Sequence, residues 1–141
     1  MPTPQKAPPT PQTAPNVKLS FFKLNVPDMD AALEFYGKVF CFSIVQTFDE
    51  GAFLEHILAL PGQEAGPNLL LVAYKDGRDV SVGPGHGPVG LVTDDIEALC
   101  AKAVEAGADT IVPIFDMGPV KVGIVLDPWG HELELLQFPA G

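Results

Sequence analysis

A short phrase occurs twice in this chain. Asp28-Met29-Asp30-Ala31 follows an apolar run (Phe21 to Val26) and opens a helical pattern. Asp95-Ile96-Glu97-Ala98 does the same after Val89 to Val92. Each helical pattern leads into a second strand-like run, Phe42 to Phe48 and Ala108 to Phe115. Repetition at this spacing implies two copies of one β-α-β unit, and neither copy alone can bury its apolar face. Duplicated modules of this kind close around a cleft.

The periodicity extends each copy to a βαβββ module. A strand over 18–25 alternates two faces, with Ser20, Phe22, Leu24 and Val26 on one and Leu19, Phe21, Lys23 and Asn25 on the other. Asp28 is a suitable N-cap for a helix that buries Leu33, Tyr36 and Phe40 and closes near Cys41. Strands over 42–48, 53–60 and 68–74 follow, the first two joined by the turn Asp49-Glu50-Gly51. Residues 75–87 have the Gly-rich, charged composition of a linker. In the second copy, a strand over 88–93 precedes a helix capped by Asp94, with Glu97 three residues on as in a capping box. Ile96, Leu99, Cys100, Ala103 and Val104 form its apolar stripe, and Gly107 stands where a left-handed C-terminal residue is expected. Strands over 110–115, 121–126 and 131–138 complete it. The expected fold is α+β, two tandem βαβββ modules forming a cup-shaped sheet, with module 1 at about 17–76 and module 2 at about 87–139 of a single domain, 17–141. Residues 1–16, rich in Pro and without an apolar anchor, read as a disordered tail.

Composition narrows the partners. A net charge of −10 with only 8 scattered Lys and Arg is unsuited to phosphate backbones, so no nucleic-acid partner is expected. The apolar runs are strand-sized, far short of the roughly 18 residues of a membrane span. Cys41 and Cys100 are the only cysteines and are expected as reduced, structural thiols. No apolar segment follows Met1 as in a secretory leader, which favours a cytoplasmic setting.

Three phrases in order resemble the vicinal oxygen chelate superfamily, which includes glyoxalase I, extradiol dioxygenases and bleomycin-resistance proteins. Val26-Pro27-Asp28-Met29-Asp30 with Phe35-Tyr36-Gly37-Lys38-Val39-Phe40 is similar to the family's first strand–helix signature. Asp94-Asp95-Ile96-Glu97-Ala98-Leu99 resembles the second. Asp127-Pro128-Trp129-Gly130-His131-Glu132-Leu133-Glu134-Leu135 resembles the closing turn and strand. The resemblance covers nearly everything after Val17. It implies a small-molecule cup, frequently in a homodimer, and, in metal-dependent members, four His or Glu ligands from the first, fourth, fifth and eighth strands. Carried over, those positions are Phe21, Leu71, Pro88 and Glu134, of which only Glu134 has a side chain able to ligate a metal. No cofactor is therefore expected.

The remaining polar groups stay open to two readings. Glu134 is either an acid, base or charged acceptor in an apolar cleft, or a structural carboxylate satisfied by Lys23 or by backbone. His56, in register with Leu54 and Leu58, is either a satisfied core histidine or a cleft-lining donor. His86 reads as exposed loop, and His131 as part of the turn. Lys23 and Asn25, with Phe21, Leu71 and Pro88, are expected to line a mostly apolar ligand pocket. The leading expectation is a metal-independent binder of a small organic molecule. The alternative is an enzyme, a lyase, isomerase or hydrolase using Glu134 with Lys23 or His56, or a metal enzyme with the unusual ligands Glu134, His86 and His56.

Overall fold

The computed structural model describes residues 15–140; the expectation of a disordered tail falls almost wholly outside them. The element order is β1 (Phe21–Asn25), α1 (Met29–Phe40), β2 (Ser43–Asp49), β3 (Phe53–Ala59), β4 (Asn68–Tyr74), β5 (Val89–Val92), α2 (Ile96–Glu105), β6 (Asp109–Met117), β7 (Val120–Leu126) and β8 (Glu132–Gln137). Two four-stranded sheets result, ordered β1-β4-β3-β2 and β5-β8-β7-β6, so the duplication read from the sequence is a duplication of structure. In each sheet the first strand runs parallel to the last, because a helix connects β1 to β2 and β5 to β6 and carries the chain across.

Both helices begin with the same device. The Asp28 carboxylate accepts the Ala31 N–H at 3.1 Å, and the Asp95 carboxylate accepts the Ala98 N–H at 3.1 Å. The cap of α2 is therefore Asp95 and not Asp94. The aspartate of the repeated phrase recurs in place, while Thr93 Oγ1 accepts the Asp95 N–H at 3.2 Å and pulls Asp94 out of capping position. Gly107 does take the left-handed conformation beyond α2, with φ 113°. Its counterpart after α1 is Cys41, which adopts φ 68° without being glycine.

Both helices lie on one side of the sheets and share one core. Leu24, Leu58, Leu69 and Leu71 from the first sheet meet Phe35, Tyr36, Val39 and Phe40 of α1; Val125, Leu133 and Leu135 of the second meet Ile96 and Ala103 of α2. The modules are clasped through a buried hydrogen-bond cluster. Tyr36 Oη, on α1, donates to Asp127 Oδ2 at 2.6 Å, and His131 Nδ1 lies 2.7 Å from the same oxygen. The backbone N–H groups of Trp129 and His131 donate to Asp127 Oδ1 at 2.9 and 2.8 Å. The turn phrase thus uses its aspartate to join module to module, with its histidine bonded to that aspartate. Trp129 packs edge-on against Phe35, with centroids 6.0 Å apart.

Candidate functional site

With the helices on one face, each sheet leaves its other face uncovered by any helix. On β1 that face carries Phe21, Lys23 and Asn25, since Leu24 and Val26 turn into the core. Strand pairing carries the face across the sheet: Phe21 lies beside Asn68, Lys23 beside Leu70, and Asn25 beside Val72. On β3, Ile57 lies beside Leu70 and Glu55 beside Val72. Directly paired residues share a face, so the open side of module 1 is built from Phe21, Lys23, Asn25, Glu55, Ile57, Asn68, Leu70 and Val72.

This corrects the expectation for β4. Leu71 pairs with Leu24 and His56 and is fully buried on the helix side, as is Leu69. The cause is that β4 is buried on both faces: Leu69, Leu70, Leu71 and Val72 are all inaccessible, so polarity carries no alternation to read. The duplication confirms the corrected register. The step that takes Asp28 to Asp95 takes Phe21 to Pro88, Lys23 to Gly90 and Ile57 to Ile124. Gly90 and Ile124 are the neighbours of Glu134 in module 2, as Lys23 and Ile57 are of Leu70 in module 1. Leu70 is thus the counterpart of Glu134.

His56 is likewise on the helix side, buried, with Thr47 Oγ1 2.8 Å from its Nδ1. It is a satisfied core histidine away from the open face. His86 is exposed in the linker, its ring edge-to-face with Phe22 at 5.9 Å. Glu134 is half-buried on the open face of module 2. The trio Glu134, His86 and His56 is therefore not brought together, and among the described residues no cluster of three His, Cys, Asp or Glu side chains is arranged to hold a metal ion.

Lys23 does occupy the open face, but its partner is Glu55. Lys23 Nζ lies 2.7 Å from Glu55 Oε1 and 5.5 Å from the centroid of the Phe21 ring. Glu55 is not among the site residues expected from the sequence. The available signal was simple alternation, which puts Glu55 on the face opposite Leu54 and Leu58 once that pair is recognised as core-facing.

A groove of about 370 Å³ runs between the β1 and β5 edges, lined by Phe21, Phe22, Asn68, Pro88, Gly90 and Leu91 among others. It contains two of the four expected positions, Phe21 and Pro88, whereas Lys23, Glu55 and Glu134 stand on the broader sheet faces beside it. Cys41 and Cys100 are unbonded, and burial followed by the nearby Glu97 charge pushes the Cys100 thiol up, away from the thiolate.

Residues 18–135 match the family model for the Glyoxalase/Bleomycin resistance protein/Dioxygenase superfamily. The chain belongs to this superfamily. A probable lactoylglutathione lyase of Vibrio cholerae is 30% identical over 130 residues, covering 86% of this chain and 91% of that protein. The lactoylglutathione lyase of Schizosaccharomyces pombe is 26% identical, and this chain spans 47% of its length. Among solved structures, glyoxalase I of Leishmania major superposes with TM-score 0.75 at 17% identity, covering 86% of this chain and 87% of that one. A glyoxylase/bleomycin resistance protein/dioxygenase domain from Frankia gives 0.72 at 17% identity over 89% of this chain and all of that one. These likenesses establish the superfamily's two-module fold. No helix among the described residues is long and apolar enough to cross a membrane.

The metal of the family's metal-dependent members does not fit the residues present. At the four positions the superfamily chain offers Phe21, Leu70, Pro88 and Glu134, three of them without a donor atom. One carboxylate is no substitute for a ligand set.

Proposed function

We propose that this protein binds a small organic molecule on the open sheet faces, and that it does so without the family's metal centre. The observation carrying this reading is the donor set: Phe21, Leu70 and Pro88 line the positions where metal-dependent members place ligands. Phe21, 46% exposed, and the half-buried Pro88 supply hydrophobic contact, worth roughly 25 cal/mol per Å² removed from water. A few polar groups, Asn25 and Glu134 among them, then orient the ligand. We further propose a homodimer. Phe48 on β2 and Ile111, Phe115 and Met117 on β6 are exposed at the outer sheet edges, where a second copy would cover them.

Elemental analysis after purification in metal-containing medium tests the metal reading. The expected result is far below one equivalent of Zn, Ni, Mn or Fe per chain; about one equivalent, retained through mild chelation, would overturn it. A second reading, a lactoylglutathione lyase, is favoured by the 30% identity across nearly the whole length of the Vibrio protein. Turnover in a lactoylglutathione lyase assay, with and without added Ni²⁺ or Zn²⁺, separates the two readings. Dimerisation is read by light scattering at micromolar concentration, where a stable monomer would refute it.

A further inference from the structure

The open face of module 1 carries one buried charged group that neither module-to-module packing nor core packing uses. The Glu55 side chain is only 10% exposed, yet it stands in the middle of an apolar sheet face, flanked by Val72 and by Phe48 on the paired strands. Its one ionic partner among the described residues is Lys23, whose Nζ stands 2.7 Å from Oε1. One ammonium thus serves a buried carboxylate that has acceptor sites for several donors. A buried carboxylate of this kind costs free energy unless donors reach it.

The second module does not mirror it. The step relating the modules takes Lys23 to Gly90 and Glu55 to Val122, so the pair is unique to module 1. Module 2 contributes Glu134 at the position where module 1 has Leu70. The charged groups at these central positions of the two open faces are thus one ammonium and two carboxylates, an excess of negative charge on largely apolar surroundings.

We propose that Glu55, paired with Lys23, is the recognition group of the binding face, and that its ligand is an organic cation: an apolar body bearing an ammonium or amidinium whose N–H groups donate to the Glu55 carboxylate. This rests on the binding reading above and adds the ligand's chemical class. A ligand carboxylate is disfavoured, because Lys23 is already paired and the second charge it would meet is negative. The ion pair also makes Glu55 selective. Lys23 competes with a ligand for the carboxylate, and its side chain, 47% exposed, can swing aside for an incoming cation.

The test uses the full chain, ¹⁵N-labelled, titrated at pH 7 with benzylamine, benzyl alcohol and benzoate, which share one apolar body and differ in the head group. Benzylamine should bind about tenfold more tightly than benzoate, the worth of one charge-assisted hydrogen bond, and should shift the amides of β1, β3 and β4. Glu55→Gln should abolish that preference. Lys23→Met should instead strengthen benzylamine binding and enlarge the rise in melting temperature it produces, a result that a merely structural ion pair would not give and that remains readable if Glu55→Gln fails to fold. Benzoate binding as tightly as benzylamine on these strands would overturn the cation assignment and leave the binding reading standing. Shifts that leave β1, β3 and β4 untouched, or a preference that survives Glu55→Gln, would overturn the role of Glu55. No binding by any of the three at millimolar concentration would overturn both this inference and the binding reading.

Discussion

Replacing Tyr36 by Phe removes one oxygen from the joint between the modules and little else. The ring stays in a site with no solvent access, so packing against Phe35, Phe40 and Phe42 is retained. What is lost is the 2.6 Å hydrogen bond to Asp127 Oδ2, an ionised and buried acceptor. Burial by itself would raise the Asp127 carboxyl, but the hydrogen bonds from His131 and Tyr36 and the His131 charge outweigh it and hold it below the ordinary aspartate range. A hydrogen bond to a charged group contributes about 1.5–3 kcal/mol, and Asp127 Oδ2 would keep only His131. For a chain of 141 residues, roughly 3–4 °C per kcal/mol converts this to a fall in Tm of about 5–12 °C. Trp129 is the single tryptophan and sits in the same turn, so its fluorescence reports the joint directly during urea unfolding. The midpoint should fall with the slope unchanged. In the cycle with Asp127→Ala, which strips the acceptor from Tyr36, His131 and two backbone N–H groups, the double variant should lose little more than Asp127→Ala alone. A loss below about 0.5 kcal/mol for Tyr36→Phe, the range of an uninvolved surface change, would refute the clasp.

Further expectations are checked as simply. Because the folded Asp127 carboxyl is held low, its contribution is fully present above the unfolded value of about 3.9 and is lost as pH falls through the folded value; denaturation midpoints from pH 6 to 2 should show this decline, and Asp127→Asn should flatten part of it. Tyr36 behaves in the opposite sense. Burial first, then the Asp127 charge and hydrogen bond, push its phenol far above 10.0, so its contribution is intact below pH 10 and lost as pH climbs beyond it, and Tyr36→Phe should unfold less steeply in alkali. Leu71→Ala should cost about 2–5 kcal/mol by opening a cavity in the shared core, and equilibrium unfolding that shows less than about 1 kcal/mol would contradict its placement on the helix side. Introducing donors as Phe21→His, Leu70→Glu and Pro88→His beside Glu134 should create a Zn²⁺ site measurable by equilibrium dialysis at about one equivalent. Placing the glutamate at Leu71 instead should give none; zinc uptake by that version would show the register to be wrong. Cys41→Gly should be neutral or stabilise by up to about 1 kcal/mol, since φ 68° suits glycine, while Cys41→Val should destabilise in the same thermal assay.

The sequence alone determined the architecture, because it rests on local signals written twice. Asp28 and Asp95 each precede a helical stripe, Gly107 ends the second helix, and the turn after Asp127 resembles the family's closing phrase. β1 was also legible in its facing, since Lys23 and Asn25 alternate with Leu24 and Val26 and only one of the two sets tolerates the core. Which face each residue of β4 presents was decided only by tertiary structure. Asn-Leu-Leu-Leu-Val-Ala-Tyr is apolar on both sides, and a strand buried on both sides loses the period of two by which polarity marks a face. A one-residue ambiguity there exchanged Leu70 for Leu71, and it resolves only through hydrogen-bonded pairing with Lys23 on β1 and Ile57 on β3. The same holds for the groups that meet across distance. Tyr36 and Asp127 stand 91 positions apart and Lys23 and Glu55 belong to different strands, so each pair exists only once the sheets and helices have packed. Local chemistry named the modules; long-range pairing decided which side chains share a face and which carboxylate is left on the open one.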